Sequence, residues 1–558
     1  MSRTILPHGP GLVQEGAGQD LPQKMASRLS DTITRRMREE IGAVRREHGG
    51  RLRVCLVYPN SYRVGMASLG FQTVYHLFNS QPGVVCERAF VPDPPDLEDL
   101  GRIGLPLVSY ESQLPLHQFD AIAFSISYEL DYAGVARVLQ LARVPVMGEE
   151  RDDRHPLILA GGAAVSMNPE PLADLVDLFL IGECEPATRS AGESACDGLL
   201  SALVARRGSR AETLGEAAEA PGVYVPTVTR GHVVRLHAAD LDSWPTYSRL
   251  LTRESEFGDL FLVEASRGCG RGCRFCVTPA CYWPLRWRPA SSIMAAAALG
   301  LEHRNAIGLV GAAVSDHPEV EEVVERILGL GARVSLSSLR ADSVTPRLVK
   351  ALALSGARSI TLAPEAGSER LRAAIGKGIS EAQVMEALEM AAAAGIRGAK
   401  LYFMVGLPGE KEEDVAAIPS LVRRCLKAAK LDRLTVALGG FVPKPHTPYE
   451  REPMLPVAAL SRRLRTIRDE LRGVRRVTVA VESANWSQIE GVLARGDRRL
   501  GEVIAAADAA GARLSDWRDA FRRLGVDPAE FVSERAVGER TPWGSIVSGR
   551  SPRSPAGV

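Results

Sequence analysis

Three cysteines share one short segment, Ser266-Arg267-Gly268-Cys269-Gly270-Arg271-Gly272-Cys273-Arg274-Phe275-Cys276, with the spacing C-x3-C-x2-C. Three thiolates so close together can hold three corners of an iron–sulfur cube and leave the fourth iron open to a small chelating molecule. Gly270 and Gly272 let the backbone wrap such a cluster, because glycine reaches conformations that other residues avoid. The segment follows an apolar run, residues 260–265, that reads as a buried strand. Cys281 extends the pattern to C-x3-C-x2-C-x4-C, which a four-cysteine zinc site or a fully ligated cluster would also use. Structural zinc sites usually come as two separated CxxC-like pairs, and this run is neither paired nor repeated. Cys55, Cys86, Cys184, Cys196 and Cys425 are scattered singly, so a disulfide framework is not indicated either. The expectation is three ligands, Cys269, Cys273 and Cys276, with Cys281 a packing residue.

The elements that must position this loop come from the rest of the chain. At 558 residues it is long enough for several domains, and 24% charged residues is ordinary globular composition. Lys plus Arg number 68 against 67 Asp plus Glu, so no overall field recruits nucleic acid or an anionic membrane, although a local basic groove stays open. The longest apolar runs, such as residues 307–314, are far short of the roughly 20 residues that span a bilayer. Residues 1–20 are polar and rich in proline and glycine, without the cationic start and apolar core of a secretory signal. Clustered thiols without a disulfide framework point to a reducing, cytoplasmic setting.

Residues 1–49 read as a flexible tail followed by an arginine-rich amphipathic helix over 21–48, expected to pack on the next domain. From residue 50 to 185, apolar strands at 53–58, 84–91, 121–127, 156–160 and 178–181 alternate with helical segments. Parallel strands need crossovers, so five such alternations predict a Rossmann-like, doubly wound parallel sheet. Ligands in such sheets bind beyond the carboxyl ends of the strands. Those ends carry Tyr62 and Arg63, Ser125, and the pair Gly161 and Gly162, where small residues suggest a close backbone approach to a ligand. Residues 186–255 read as a connector, helical around 188–206 and strand-like over 222–236.

Residues 256–450 alternate again, with strands at 260–265, 307–311, 334–338, 359–364, 398–405 and 434–441. Six such units predict a partial (β/α)6 TIM-type barrel with its active residues at the strand carboxyl ends. Residues 451–558 read as a largely helical C-terminal region with Trp486, Trp517, Phe521 and Trp543 as packing aromatics. The fold class is therefore α/β.

The cysteine loop and the turns that follow it resemble the radical S-adenosylmethionine (SAM) superfamily. That resemblance implies a 4Fe–4S cluster, SAM as cosubstrate, and a reducing partner such as flavodoxin or ferredoxin. It places Phe275 beside the adenine and makes Gly311-Ala312-Ala313-Val314-Ser315-Asp316 a weak form of the second-strand GGE-type motif, with the acid displaced to Asp316. Ser338 and Arg340 end the third strand, with Arg340 facing the SAM carboxylate. Glu365 and Ser368, in Pro364-Glu365-Ala366-Gly367-Ser368-Glu369, fall to the ribose hydroxyls, and Gly406 lies in the glycine-rich loop beside adenine.

The N-terminal sheet is similar to the cobalamin-binding domain found ahead of many radical SAM barrels. It departs from that pattern in having no D-x-H-x-x-G histidine after the first strand, where Tyr58-Pro59-Asn60-Ser61-Tyr62-Arg63 stands instead. Either cobalamin binds there without a lower histidine, or the domain has lost the cofactor and shapes the substrate cleft. The run Phe441-Val442-Pro443-Lys444-Pro445-His446-Thr447-Pro448 resembles a subfamily of fusion proteins joining the two domains, with Lys444 and His446 open to a role in substrate binding, proton transfer or loop closure. The implied activity is reductive cleavage of SAM, with methyl transfer if cobalamin is present. The alternatives are a cobalamin-independent enzyme acting on RNA or a peptide, and a non-catalytic Fe–S redox protein.

Overall fold

The computed structural model describes residues 27–185, 195–205, 208–337 and 339–548; the N-terminal tail, part of the connector helix and Ser338 lie outside them. The first helix spans Arg28–Glu39. Leu29, Ile33 and Met37 recur every four residues and are buried, and Ser27 caps the start by accepting the Ser30 N–H at 3.0 Å. The expected continuation to residue 48 does not form. At Gly42 (φ +91°) a Cβ would collide with the Arg249 carbonyl, and the chain is drawn out so that Ile41 can pair with Leu251. The helix arginines bind neighbouring protein, Arg36 meeting Glu254 and Asp93 at 2.8 Å each and Arg28 meeting Asp96 at 3.0 Å.

The N-terminal sheet contains β1 (Leu52–Ser61), β2 (Val84–Val91), β3 (Ala121–Ser125), β4 (Leu157–Gly161), β5 (Leu178–Leu180) and β6 (Val223–Tyr224), in the order β2-β1-β3-β4-β5-β6. The first five are parallel, and β6 closes the edge antiparallel to β5. The stretch read as one connector strand is thus two: β6 extends the N-terminal sheet past residue 185, while β7 (Val233–Arg235) pairs with the last strand of the chain.

The barrel opens with β8 (Phe261–Glu264). The cysteine loop runs between two short antiparallel strands, β9 (Ser266–Arg267) and β10 (Arg286–Trp287). There follow β11 (Ala306–Val310), β12 (Arg333–Leu336), β13 (Ser359–Glu365), β14 (Gly398–Val405), β15 (Arg433–Gly440) and β16 (Val477–Val481). They form two parallel sheets, β12-β11-β8 and β13-β14-β15-β16, joined by the bridge between Leu339 and Leu362. On β14, Leu401, Phe403 and Val405 are buried against the helices, and the alternate residues Lys400, Tyr402 and Met404 are not. The seventh parallel strand, β16, corrects the six-strand expectation. The helix Val457–Leu471 buries Leu460, Leu464, Ile467 and Leu471 as it crosses back, so the barrel extends well past residue 450. The remaining helices pack onto the N-terminal sheet, and β17 (Ile546–Ser548) returns to pair with β7.

Candidate active site

The cysteine loop is seated on the turn after the helix Glu369–Ala374. The Arg274 N–H donates to the Ile375 carbonyl at 2.9 Å, and a Cβ at Gly376 (φ +71°) would collide with the Gly272 carbonyl. Cys269, Cys273 and Cys276 are unbridged and half-buried, whereas Cys55, Cys86, Cys196, Cys281 and Cys425 are buried. Burial pushes the Cys273 thiol up, opposed by the nearby Lys377 and Arg340 cations. Among the described residues no three His, Cys, Asp or Glu side chains converge on a single metal ion. A four-iron cube takes one thiolate per iron, so its ligands stand around it rather than meeting at a point. Three accessible thiols on one loop, flanked by two cations, fit that group.

Charged side chains form a continuous chain around the loop. Arg271 binds Asp316 at 2.8 Å and Asp342 at 3.4 Å. Arg340 binds Asp342 at 3.0 Å and donates to the Lys377 carbonyl at 3.3 Å, and Lys377 meets Glu365 at 3.1 Å. Asp342 therefore already holds the guanidinium expected to pair with a ligand carboxylate. Burial pushes the Glu365 carboxyl up, against Lys377, and its backbone lies in the left-handed region at φ +69°. A non-glycine residue held there costs on the order of 1 kcal/mol or more, and such strain persists where surrounding structure imposes it. Asp316 Oδ1 and Ser266 Oγ are buried without a hydrogen-bond partner. They flank the turn after β11, where a Cβ at Gly311 would come within 2.5 Å of Ser266 Oγ.

Phe275 packs against a small apolar cluster that includes Ala366, Ile375, Leu407 and Phe441, which brings the cysteine loop to the Gly406 loop. Gly406 (φ +91°) donates its N–H to Glu410 at 2.8 Å, and burial pushes the Glu410 carboxyl up to about 7. The hydroxyl of Ser368 is committed elsewhere: it caps the helix Glu369–Ala374, accepting the Leu371 N–H at 3.2 Å, and donates to Asp414.

A cavity of about 370 Å³ joins the two halves of the molecule. Ser125, Gly161 and Gly162 line it from the N-terminal sheet, and Ser266, Gly268 and Gly311 from the barrel mouth. Its charged wall is a buried clamp that sequence reasoning missed. Arg267, the residue before the cysteine loop, binds Glu183 at 3.0 Å, Glu185 at 2.8 Å and Glu264 at 2.9 Å. Arg286 takes both oxygens of Glu183, at 2.6 and 2.8 Å, and Arg288 meets Glu264 at 2.5 Å. The available signal was the acidic pair Glu183 and Glu185 just past a strand end.

Three expectations at the N-terminal strand ends are corrected. Tyr62 is not at the cavity: it is 1% exposed, donates to Glu40 at 2.7 Å and stacks on Tyr110 at 5.4 Å. Arg63 is exposed and pairs with Glu256 at 2.6 Å, outside the cavity. Gly162 does meet a close backbone approach, but from the protein itself: at φ +112° its Cβ would strike the Ile126 carbonyl. The Lys444–His446 segment is a bridge between the halves. Lys444 is buried between Glu129 and Glu490, at 2.8 Å from each, and His446 Nε2–H donates to the Met167 carbonyl at 3.1 Å. Burial pushes His446 down to about 3, so it is neutral and no proton shuttle.

Comparison with known proteins agrees with this geometry. Residues 70–226 match the family described as radical SAM proteins, N-terminal, and residues 263–422 match the radical SAM superfamily. The chain belongs to the radical SAM superfamily, whose members use a 4Fe–4S cluster and SAM. It is 28% identical over 457 residues to an uncharacterised protein of Methanocaldococcus jannaschii, covering 81% of this chain and 90% of that one. A tRNA-2-methylthio-N(6)-dimethylallyladenosine synthase of Sorangium cellulosum is 30% identical over 189 residues, covering 29% of this chain and 38% of the relative. The solved structure of the cobalamin-dependent SAM radical enzyme OxsB with aqua-cobalamin and SAM bound superposes at a TM-score of 0.48 and 14% identity, covering 85% of this chain and 71% of that one. No helix among the described residues is long and apolar enough to cross a membrane.

Two predictions follow from the clamp and the bridge. Arg267→Met leaves three buried carboxylates short of a partner and should cost about 3–5 kcal/mol in denaturant unfolding, with Arg267→Lys intermediate. His446 titrates at 6.5 when unfolded and about 3 when folded, so the unfolded chain binds more protons between those values. Its stability contribution is full above 6.5 and is lost as pH falls toward 3; His446→Gln should flatten that part of the pH–stability curve relative to the parent.

Proposed function

We propose that this protein is a cobalamin-dependent radical SAM methyltransferase. The observation that carries this reading is the cavity running from the carboxyl edge of the N-terminal sheet to the base of the cysteine loop, which gives a second cofactor a seat beside the first. Its 370 Å³ falls within the roughly 300–1,000 Å³ of small-molecule sites, and the orphaned Ser266 Oγ on its wall calls for a hydrogen-bond partner. No histidine lines it, which supports binding without a protein imidazole on cobalt.

Cys269, Cys273 and Cys276 would hold the 4Fe–4S cluster, which when bound supplies the electron that cleaves the SAM sulfonium bond. Around it, Asp316 Oδ1 is an acceptor without a donor, suited to the SAM ammonium, and Glu365 faces the ribose hydroxyls. Phe275 and the Gly406 loop wall the adenine end and exclude water. Cobalamin, when bound, supplies methyl-transfer chemistry.

Changing any one of the three loop cysteines to Ala should abolish cluster absorption and SAM cleavage, whereas Cys281→Ala, buried and off the loop, should keep both. Asp316→Asn and Glu365→Gln should weaken SAM binding about tenfold or more with cluster content unchanged. Equal loss of binding by a SAM analogue lacking the α-amino group would reject the Asp316 role. Methyl transfer itself is tested by anaerobic reconstitution with hydroxocobalamin and SAM, measuring retained cobalamin, S-adenosylhomocysteine and 5′-deoxyadenosine together. Electron paramagnetic resonance of the Co(II) form should lack splitting from an axial protein nitrogen. Failure to retain any cobalamin, with SAM cleavage intact, would reduce the N-terminal unit to a scaffold.

A further inference from the structure

Two thiols outside the cysteine loop face each other at the edge of the cavity. Cys184 follows β5 by four residues, is half-buried and lines the cavity wall. Cys196 sits in the helix Ala195–Val204, whose Cys196, Leu199, Leu200 and Leu203 are at most 2% exposed and form its inward face. Leu199, about one turn beyond Cys196 on that face, lines the same cavity as Cys184. The two thiols are hydrogen-bonded to each other. Both are free cysteines, and neither belongs to the cysteine loop.

We propose that Cys184 and Cys196 form a reversible dithiol–disulfide pair in the wall of the cavity. Their exposures set the order of events. The half-buried Cys184 is the one a dissolved oxidant reaches, while burial and the neighbouring thiol push Cys196 up and keep it protonated until Cys184 has reacted. The oxidant is a low-molecular-weight disulfide such as oxidised glutathione. The Cys184 thiolate attacks it, forming a mixed disulfide and releasing one glutathione thiolate. Cys196 then loses its proton and attacks Cys184 Sγ, forming the intramolecular S–S bond and releasing the second glutathione. Two protein thiols are oxidised and one glutathione disulfide is reduced to two thiols, so protons and electrons balance. The new bond draws Cys184 Sγ off the cavity wall toward the helix, which makes the shape of that wall depend on redox state. This does not rest on which ligand fills the cavity.

The test uses the full chain with its cluster in place, treated anaerobically with oxidised glutathione, then alkylated with N-ethylmaleimide in denaturant and digested with trypsin. Cleavage after Arg189 separates the thiols into peptides 155–189 and 190–206, each holding one of them. The expected product is those two peptides joined by a disulfide and separated again by dithiothreitol, with cluster absorption retained. Cys196→Ser should instead accumulate a glutathione adduct on Cys184, and Cys184→Ser should leave Cys196 unmodified. Should Cys196→Ser not fold, the parent protein and Cys184→Ser decide the matter alone. Full alkylation of both thiols in the treated parent, or a stable glutathione adduct on Cys184 in place of the joined peptides, would overturn the proposal.

Discussion

The arrangement of this molecule depends on the Arg267 guanidinium. It is the last residue before the cysteine loop, and it is bound by Glu183 and Glu185 from the N-terminal sheet and by Glu264 from the first barrel strand. Taking charges out of water costs several kcal/mol each, and their mutual attraction offsets this only when every donor and acceptor is used. Here Arg286 and Arg288 take up the remaining oxygens of Glu183 and Glu264, leaving three cations against three anions. Such a network adds little net stability compared with an apolar contact. It fixes register, because a small sliding of one half against the other would leave buried charges unpaired. The base of the cysteine loop is thereby held at one distance and angle from the N-terminal strand ends.

A second bridge works by the same physics on the far side of the barrel. Lys444 is buried between two glutamates, Glu129 just past β3 and Glu490 on a C-terminal helix. His446 anchors the same segment to the backbone that follows β4. The segment also carries Phe441 and Tyr449, which pack with Phe275 of the cysteine loop. Both halves of the molecule therefore grip the same loop from two directions, and the cavity lies between the grips. A site that requires two cofactors at a fixed separation has more use for this rigidity than for additional apolar burial.

The polar groups left without partners are informative against this background. Most buried polar atoms in a folded protein are hydrogen-bonded, so the exceptions need a reason. Two of them, Ser266 Oγ and Asp316 Oδ1, flank the turn after β11, one beside the cavity and the other beside Arg271. Glu365 adds backbone strain at the end of β13, imposed beside Lys377. Unsatisfied acceptors and a strained acid at adjacent strand ends describe a surface completed by a ligand.

Residue spacing alone identified the cysteine triplet, the two alternating α/β units and the strand-end turns, because those signals are local: thiolate geometry, hydrophobic period and glycine punctuation act over about ten residues. The same reasoning missed β16, whose alternating Val477, Val479 and Val481 lay inside a stretch dominated by helical periodicity. It also gave Tyr62 and Gly162 to a ligand when protein atoms already occupy their surroundings, a distinction that needs the partner strand and the first helix in place. What only the tertiary structure decided is which distant charges meet. Glu183 and Arg267 are 84 residues apart, and no local pattern encodes that pairing. Hydrophobic periodicity determines which face of an element is buried, but charges pair only after those faces have packed, so the clamp, the bridge and the cavity between them exist only in the assembled fold.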